Sequence, residues 1–203
     1  MTRTNVASVA RFALRIGLWL PPSFAAWYFA ATYLASLAGA AAAACVGVLR
    51  SGLVAALEHS DAALVFVTTL QVHGQAGQTG VLLVEVNPLP YLAGTPLLVA
   101  LMLASRARWW KVMAGIALLL PFQAWGIAFD FLVQVGVKSG WEVSVQAGLG
   151  GWRAEVIALA YQLGSLIFPA LAPVALWIAF NRRLFSELVL RGLHVREPVA
   201  AVK

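Results

Sequence analysis

The chain has 203 residues, 62% of them apolar and 11% charged, where soluble domains run at about 45–50% and about 25%. With a mean hydropathy of +0.85, this excludes a soluble globular domain and a disordered chain alike. Cys45 is the one cysteine, which excludes an internal disulfide framework and a cysteine-rich zinc site. The isoelectric point near 10.1 invites a nucleic-acid reading, but the basic residues fall at the edges of apolar segments, so no nucleic acid is expected as a partner. The chain reads as an all-α integral membrane protein, with membrane lipid around it.

Charge-free intervals locate the crossings, because a helix needs roughly 20 apolar residues to span a bilayer. Arg15 and Arg50 bound 34 uncharged residues, Glu85 and Arg106 bound 20, Lys111 and Asp130 bound 18, and Glu155 and Arg182 bound 26. The first interval makes about 51 Å of helix, too long for one upright span and too short for two with a turn. It predicts a crossing over residues 12–38, kinked or restarted at Pro21-Pro22. An interfacial helix over 39–58 then follows the outer surface, with Arg50 in its middle. Residues 62–86 pair two β-prone apolar runs around Gly74-Gln75-Ala76-Gly77-Gln78-Thr79-Gly80. They predict a small β-hairpin turning near Gly77, outside the lipid because open strand edges cannot sit in hydrocarbon. Further spans at 88–105, 112–135 and 154–180 complete four transmembrane helices in a single membrane domain, 1–203.

Eleven Lys and Arg lie on the side of the N-terminus, against three (Arg50, Lys138 and Arg153) on the other side. The positive-inside rule therefore predicts both termini in the cytoplasm. The basic-then-apolar start reads as an uncleaved anchor, its apolar stretch being too long for a signal peptide. Trp109, Trp110, Trp141 and Trp152 fall where interfacial rings belong.

Polar residues inside these spans carry the functional signal. Gln123, Asp130 and Gln134 share one face of the third span, at spacings of 7 and 4. Glu155, Gln162 and Ser165 share a face of the fourth, at spacings of 7 and 3, with Tyr161 beside it. Asp130 lies about 28 Å along the helix from Lys111, near the outer boundary, as do Asn87, Arg153 and Glu155. Those four form a candidate outer-face polar cluster, and Gln123, Tyr161 and Gln162 are candidate intramembrane contacts. The cluster admits three readings: helix–helix bonding with an Asp130–Arg153 or Asp130–Lys138 pair, a pocket for a peptide or lipid segment, or an ion path.

Catalytic patterns are thin, and neither cofactor nor metal is expected. His59 and His73 have no metal-ligand spacing, and Cys45 sits in an alanine run about 21 Å along a helix from His59. Gly148-Leu149-Gly150-Gly151 lacks a phosphate-loop lysine and reads as a loop.

The layout, with Val86-Asn87-Pro88-Leu89, the basic turn Arg106-Ala107-Arg108-Trp109-Trp110-Lys111 and Phe129-Asp130-Phe131-Leu132, resembles the exosortase/archaeosortase membrane peptidases. Those enzymes imply a Cys, an Arg and a His at the outer face. Here Asn87-Pro88, Asp130 and Gly151-Trp152-Arg153 stand in the corresponding regions, so all three are missing. More closely, Leu118-Leu119-Leu120-Pro121-Phe122-Gln123-Ala124-Trp125-Gly126, Ala158-Leu159-Ala160-Tyr161-Gln162-Leu163-Gly164 and Ala172-Pro173-Val174-Ala175-Leu176-Trp177 are similar to the exosortase H-associated membrane proteins. That resemblance implies a non-catalytic accessory subunit of a protein-sorting system in the bacterial inner membrane. Its partner would be an exosortase or the transmembrane tail of a substrate. Two alternatives from other classes are an active transpeptidase using Cys45 and a small transporter or channel gated near Asp130.

Overall fold

The computed structural model describes residues 3–60, 63–73, 79–182 and 184–186. Helix α1 (Arg3–Leu49) is continuous over 47 residues, about 70 Å, more than twice a bilayer core of about 30 Å. The separate interfacial helix expected over 39–58 is therefore not formed. Residues up to Leu49 prolong the first helix, and Val54–Ser60 is strand β1. The reason lies in one stripe of α1. Ala35, Ala38, Ala42 and Val46 recur at helical spacing and are all buried, so the far third of the helix has its own packing face. Its backbone comes close to a sheet: a Cβ on Gly39 would stand 2.8 Å from Leu64 Cδ1. Pro21 and Pro22 lie inside the helix without ending it.

The sheet has the order β1-β2-β3, with β2 (Ala63–His73) and β3 (Thr79–Val86). The expected hairpin is present as the antiparallel β2–β3 pair, running from Leu64 opposite Val86 to His73 opposite Thr79. Its turn falls outside the described residues. Strand β1 pairs antiparallel with β2 as a third strand. Alternation gives the sheet one apolar face: Leu64, Phe66, Leu70, Val84 and Val86 are buried against α1 and α4. The Phe66 and Phe131 rings meet at 4.7 Å there.

From the sheet the chain enters α2 (Leu89–Leu92) and α3 (Gly94–Ala104), then α4 (Trp109–Val133), which ends in a π-helical turn, Gln134–Lys138. A short α5 (Trp141–Ala147) leads to α6 (Trp152–Gln162), which passes through a second π-helical turn, Leu163–Ile167, into α7 (Phe168–Phe180). Gly148 closes α5 at φ 66° and Gly151 precedes α6 at φ 66°, left-handed positions that favour glycine. Among the described residues, three stretches, Val9–Leu49, Trp109–Lys138 and Trp152–Phe180, are long and apolar enough to cross a membrane, and Leu89–Ala104 is a shorter apolar helix. The protein is mostly helical with a small three-stranded sheet.

Two apolar cores follow. One joins the sheet to α1, α2, α4, α5 and α6, around Phe66, Leu92 and Phe131. The other lies at the opposite end, around Leu98, Met102, Leu119 and Trp177. That end is tied by polar tips. Trp177 Nε1 donates to Ser105 Oγ at 2.5 Å and Lys111 Nζ to the Phe180 carbonyl at 3.1 Å, while Phe12 stacks on Trp177 at 5.5 Å.

Candidate functional site

Helices α2, α4 and α6 come together around Tyr91. The side-chain oxygen of Asn87 accepts from the Leu89 amide at 3.0 Å, starting α2 and turning Tyr91 inward until it is only 5% exposed. Its ring fits because position 126 on α4 is glycine, where any Cβ would overlap the ring. Gly126 also faces Gly164 of the second π-helical turn, whose Cβ would lie 2.8 Å from the Gly126 Cα. Small residues at this crossing let backbones meet, the usual device for packing helices in lipid.

At the far end of its ring the Tyr91 hydroxyl faces Asp130 and Tyr161, near enough for each to act on it. Gln134 completes the group: its Nε2 donates to Asp130 Oδ1 at 3.3 Å and to the Glu85 carbonyl of β3 at 3.0 Å. Two hydroxyls, a carboxyl and an amide thus link β3, α2, α4 and α6. The arrangement can lock four elements together, and it holds neither a thiol nor an imidazole.

This differs from the cluster expected from the residues alone. Asp130 and Tyr161 do come together, through Tyr91. Asn87 instead accepts from the backbone two residues on. Arg153 Nη1 donates to the Gly148 carbonyl at 3.0 Å, and Lys138 and Glu155 are exposed, so Asp130 pairs with neither basic residue among the described residues. The Arg153 guanidinium is engaged by the loop that precedes α6. Gln123 Nε2 donates to Thr95 Oγ1 at 2.7 Å within the bundle, and Gln162 is exposed without a hydrogen bond among the described residues. Tyr91 was overlooked because it stands alone in an apolar, proline-flanked run. Its signal was the glycine opposite.

Cys45 is half-buried against the sheet-end core and has no hydrogen-bond partner among the described residues. No group of three or more His, Cys, Asp or Glu residues that could hold a metal ion occurs among the described residues. A groove of about 570 Å³ lies between α1, the β1–β2 end of the sheet and α2, lined by Trp27, Tyr28, Thr32, His59, Leu64 and Leu89. Trp27 Nε1 and, one turn away on α1, Ser23 Oγ are buried without a partner among the described residues.

The apolar helices and their polar centre define a polytopic membrane protein whose helical bundle carries a small antiparallel sheet at one end. The chain belongs to the family of exosortase H-associated membrane proteins, which it matches over residues 6–184, from α1 through α7. No curated protein and no solved structure matches it.

Proposed function

We propose that the chain is a non-catalytic accessory subunit of an exosortase-type protein-sorting system, held in the bacterial inner membrane by four crossings with both termini cytoplasmic. The observation that carries this reading is the family match, which takes in the bundle and the sheet together. In this reading Leu89–Ala104 is the fourth crossing. It begins beside Asp130 at the sheet end and delivers Ser105 to Trp177 at the other, over about 24 Å. The bilayer can thin locally to such a length at modest cost. The far third of α1, the sheet and α5 then stand on the outer face.

The 570 Å³ groove between α1 and Leu89 is where the subunit receives a transmembrane tail of a sorting substrate or a helix of the peptidase. Its aromatic and aliphatic lining suits a lipid-soluble segment, and the orphaned Trp27 Nε1 is a donor for a carbonyl of that segment after a small rotation of the ring. Against the transpeptidase alternative stands Cys45, packed among aliphatic neighbours with no base or cation bonded to it among the described residues.

The test is co-expression with the peptidase and a tail-bearing substrate, followed by co-purification in mild detergent and a processing assay. Thr32→Trp, which fills the groove from an exposed position, should reduce co-purification about tenfold, the effect of about 1.4 kcal/mol. Cys45→Ala should leave processing unchanged. Lost processing in folded Cys45→Ala would instead establish the transpeptidase, and substrate-dependent solute flux across vesicles would establish the transporter.

A further inference from the structure

A second groove, of about 340 Å³, opens where the end of α1 meets α4 and α6. It lies within the range of ligand-sized sites, about 300–1,000 Å³. Its floor is apolar, with Phe129, Leu132 and Val156, while its rim carries Arg50, Arg153 and Trp152. No acidic residue lines it.

Both arginines are held by one short loop. Arg50 Nε donates to the Ala147 carbonyl at 2.6 Å and Arg153 Nη1 to the Gly148 carbonyl at 3.0 Å. These are the carbonyls left free at the end of α5. A guanidinium carries five N–H donors, so each keeps several in hand. Neither is paired with a carboxylate among the described residues. Two oriented, unneutralised guanidiniums over an apolar floor form a cationic site with an oily base.

The surface continues the pattern. From Arg153, α6 and its π-helical turn present Val156 at 50%, Leu159 at 61% and Leu163 at 42% exposure, spaced by three and four residues so that they form one stripe. The stripe runs from the rim toward the middle of the bundle.

We propose that this groove binds an anionic phospholipid, its phosphate between Arg50 and Arg153 and its acyl chain laid over Phe129, Val156 and the Leu159–Leu163 stripe. The shape decides between a lipid and a free anion. Guanidinium–phosphate pairing needs only the rim, whereas an apolar floor contiguous with a lipid-facing stripe is used only by a ligand with a chain. Trp152, 69% exposed and 5.9 Å from the Arg153 guanidinium, sits at headgroup level, where such rings are enriched.

The test uses the full chain, without a partner protein, so its result is independent of the proposed role. The protein is exposed to an equimolar mixture of phosphatidylglycerol and phosphatidylcholine in neutral detergent, and bound lipid is counted by native mass spectrometry. Wild type should retain phosphatidylglycerol at least about tenfold over phosphatidylcholine, corresponding to about 1.4 kcal/mol. The enrichment should vanish in R50Q/R153Q. Val156→Trp, from a half-exposed position, blocks the floor while leaving both arginines, so it too should lose the bound lipid and keeps the test valid if the double variant misfolds. Equal retention of the two lipids, or an unchanged preference in Val156→Trp, would overturn the proposal. So would displacement of the lipid by an equal concentration of glycerol phosphate, which would make the site one for free phosphate.

Discussion

Gly126 lies directly against the ring of Tyr91, and the hydroxyl of that ring reaches Asp130, one turn further along the helix that carries Gly126. One face of α4 thus receives both ends of the same side chain, its apolar body on a bare backbone and its polar tip on a carboxyl. The pair fixes the depth and rotation of α2 on α4, and the same glycine admits Gly164.

Gly126→Ala should therefore destabilise the protein by about 1–3 kcal/mol, the usual cost of overpacking a well-filled core. Thermal unfolding in detergent measures it. Tyr91→Leu added to Gly126→Ala should recover part of the loss, because the overlapping ring is gone. A double variant less stable than the sum of the two single changes would show that the ring is not the obstacle.

The polar tip can be tested separately. Tyr91→Phe keeps the ring and removes the hydroxyl that faces Asp130 and Tyr161, for a loss of about 1 kcal/mol. Asp130→Asn retains an oxygen that can accept from Gln134, so it should be milder than Asp130→Leu, which leaves Gln134 with the Glu85 carbonyl alone and Tyr91 with Tyr161 alone. The same variants belong in a pulldown and a processing assay. If the centre is a substrate pocket, either Asp130 change will abolish processing while the protein stays folded and partner-bound; a structural role predicts graded losses that follow stability.

The junction of α1 with the sheet rests on Gly39, where a Cβ would stand 2.8 Å from Leu64 Cδ1. Gly39→Val should push the sheet off the helix and cost about 1–3 kcal/mol. Hydrogen exchange should locate the damage, with faster exchange of the β2 amides and unchanged protection of α3 and α7, which belong to the other core. Uniform acceleration across both cores would show that they unfold as one unit.

Orientation is open to labelling in a Cys45→Ala background, which leaves no native thiol. A cysteine at Thr79, exposed at the start of β3, should react with an impermeant reagent added outside intact cells. A cysteine at Ala107, in the basic turn between α3 and α4, should react only after the membrane is opened. Reaction at Ala107 from outside would invert the four-crossing topology.

Residence in a membrane and the positions of α4 and of α6 with α7 were readable in one dimension, because the length of an uncharged apolar run is itself the physical requirement for crossing lipid. The β2–β3 hairpin was equally local: β-branched runs around a glycine-rich turn disfavour helix wherever they occur. What lay beyond the residues alone was decided across space. Residues Val54–Ser60 contain two alanines and a leucine, which a helix accommodates as well as a strand, and only pairing with β2 made them β1. Residues 39–58 looked interfacial because Arg50 falls in their middle, yet the stripe of Ala38, Ala42 and Val46 is buried in the core shared with α4 and the sheet, and the helix runs on to Leu49. Asp130 stood out as a polar residue in an apolar span, but its partner was chosen by packing: Arg153, the nearest opposite charge in outline, went to a loop carbonyl, and Tyr91 was admitted by a glycine thirty-five positions later in the chain. Charge and hydropathy are properties a residue carries with it. Which atoms meet is settled by the backbones that bring them together.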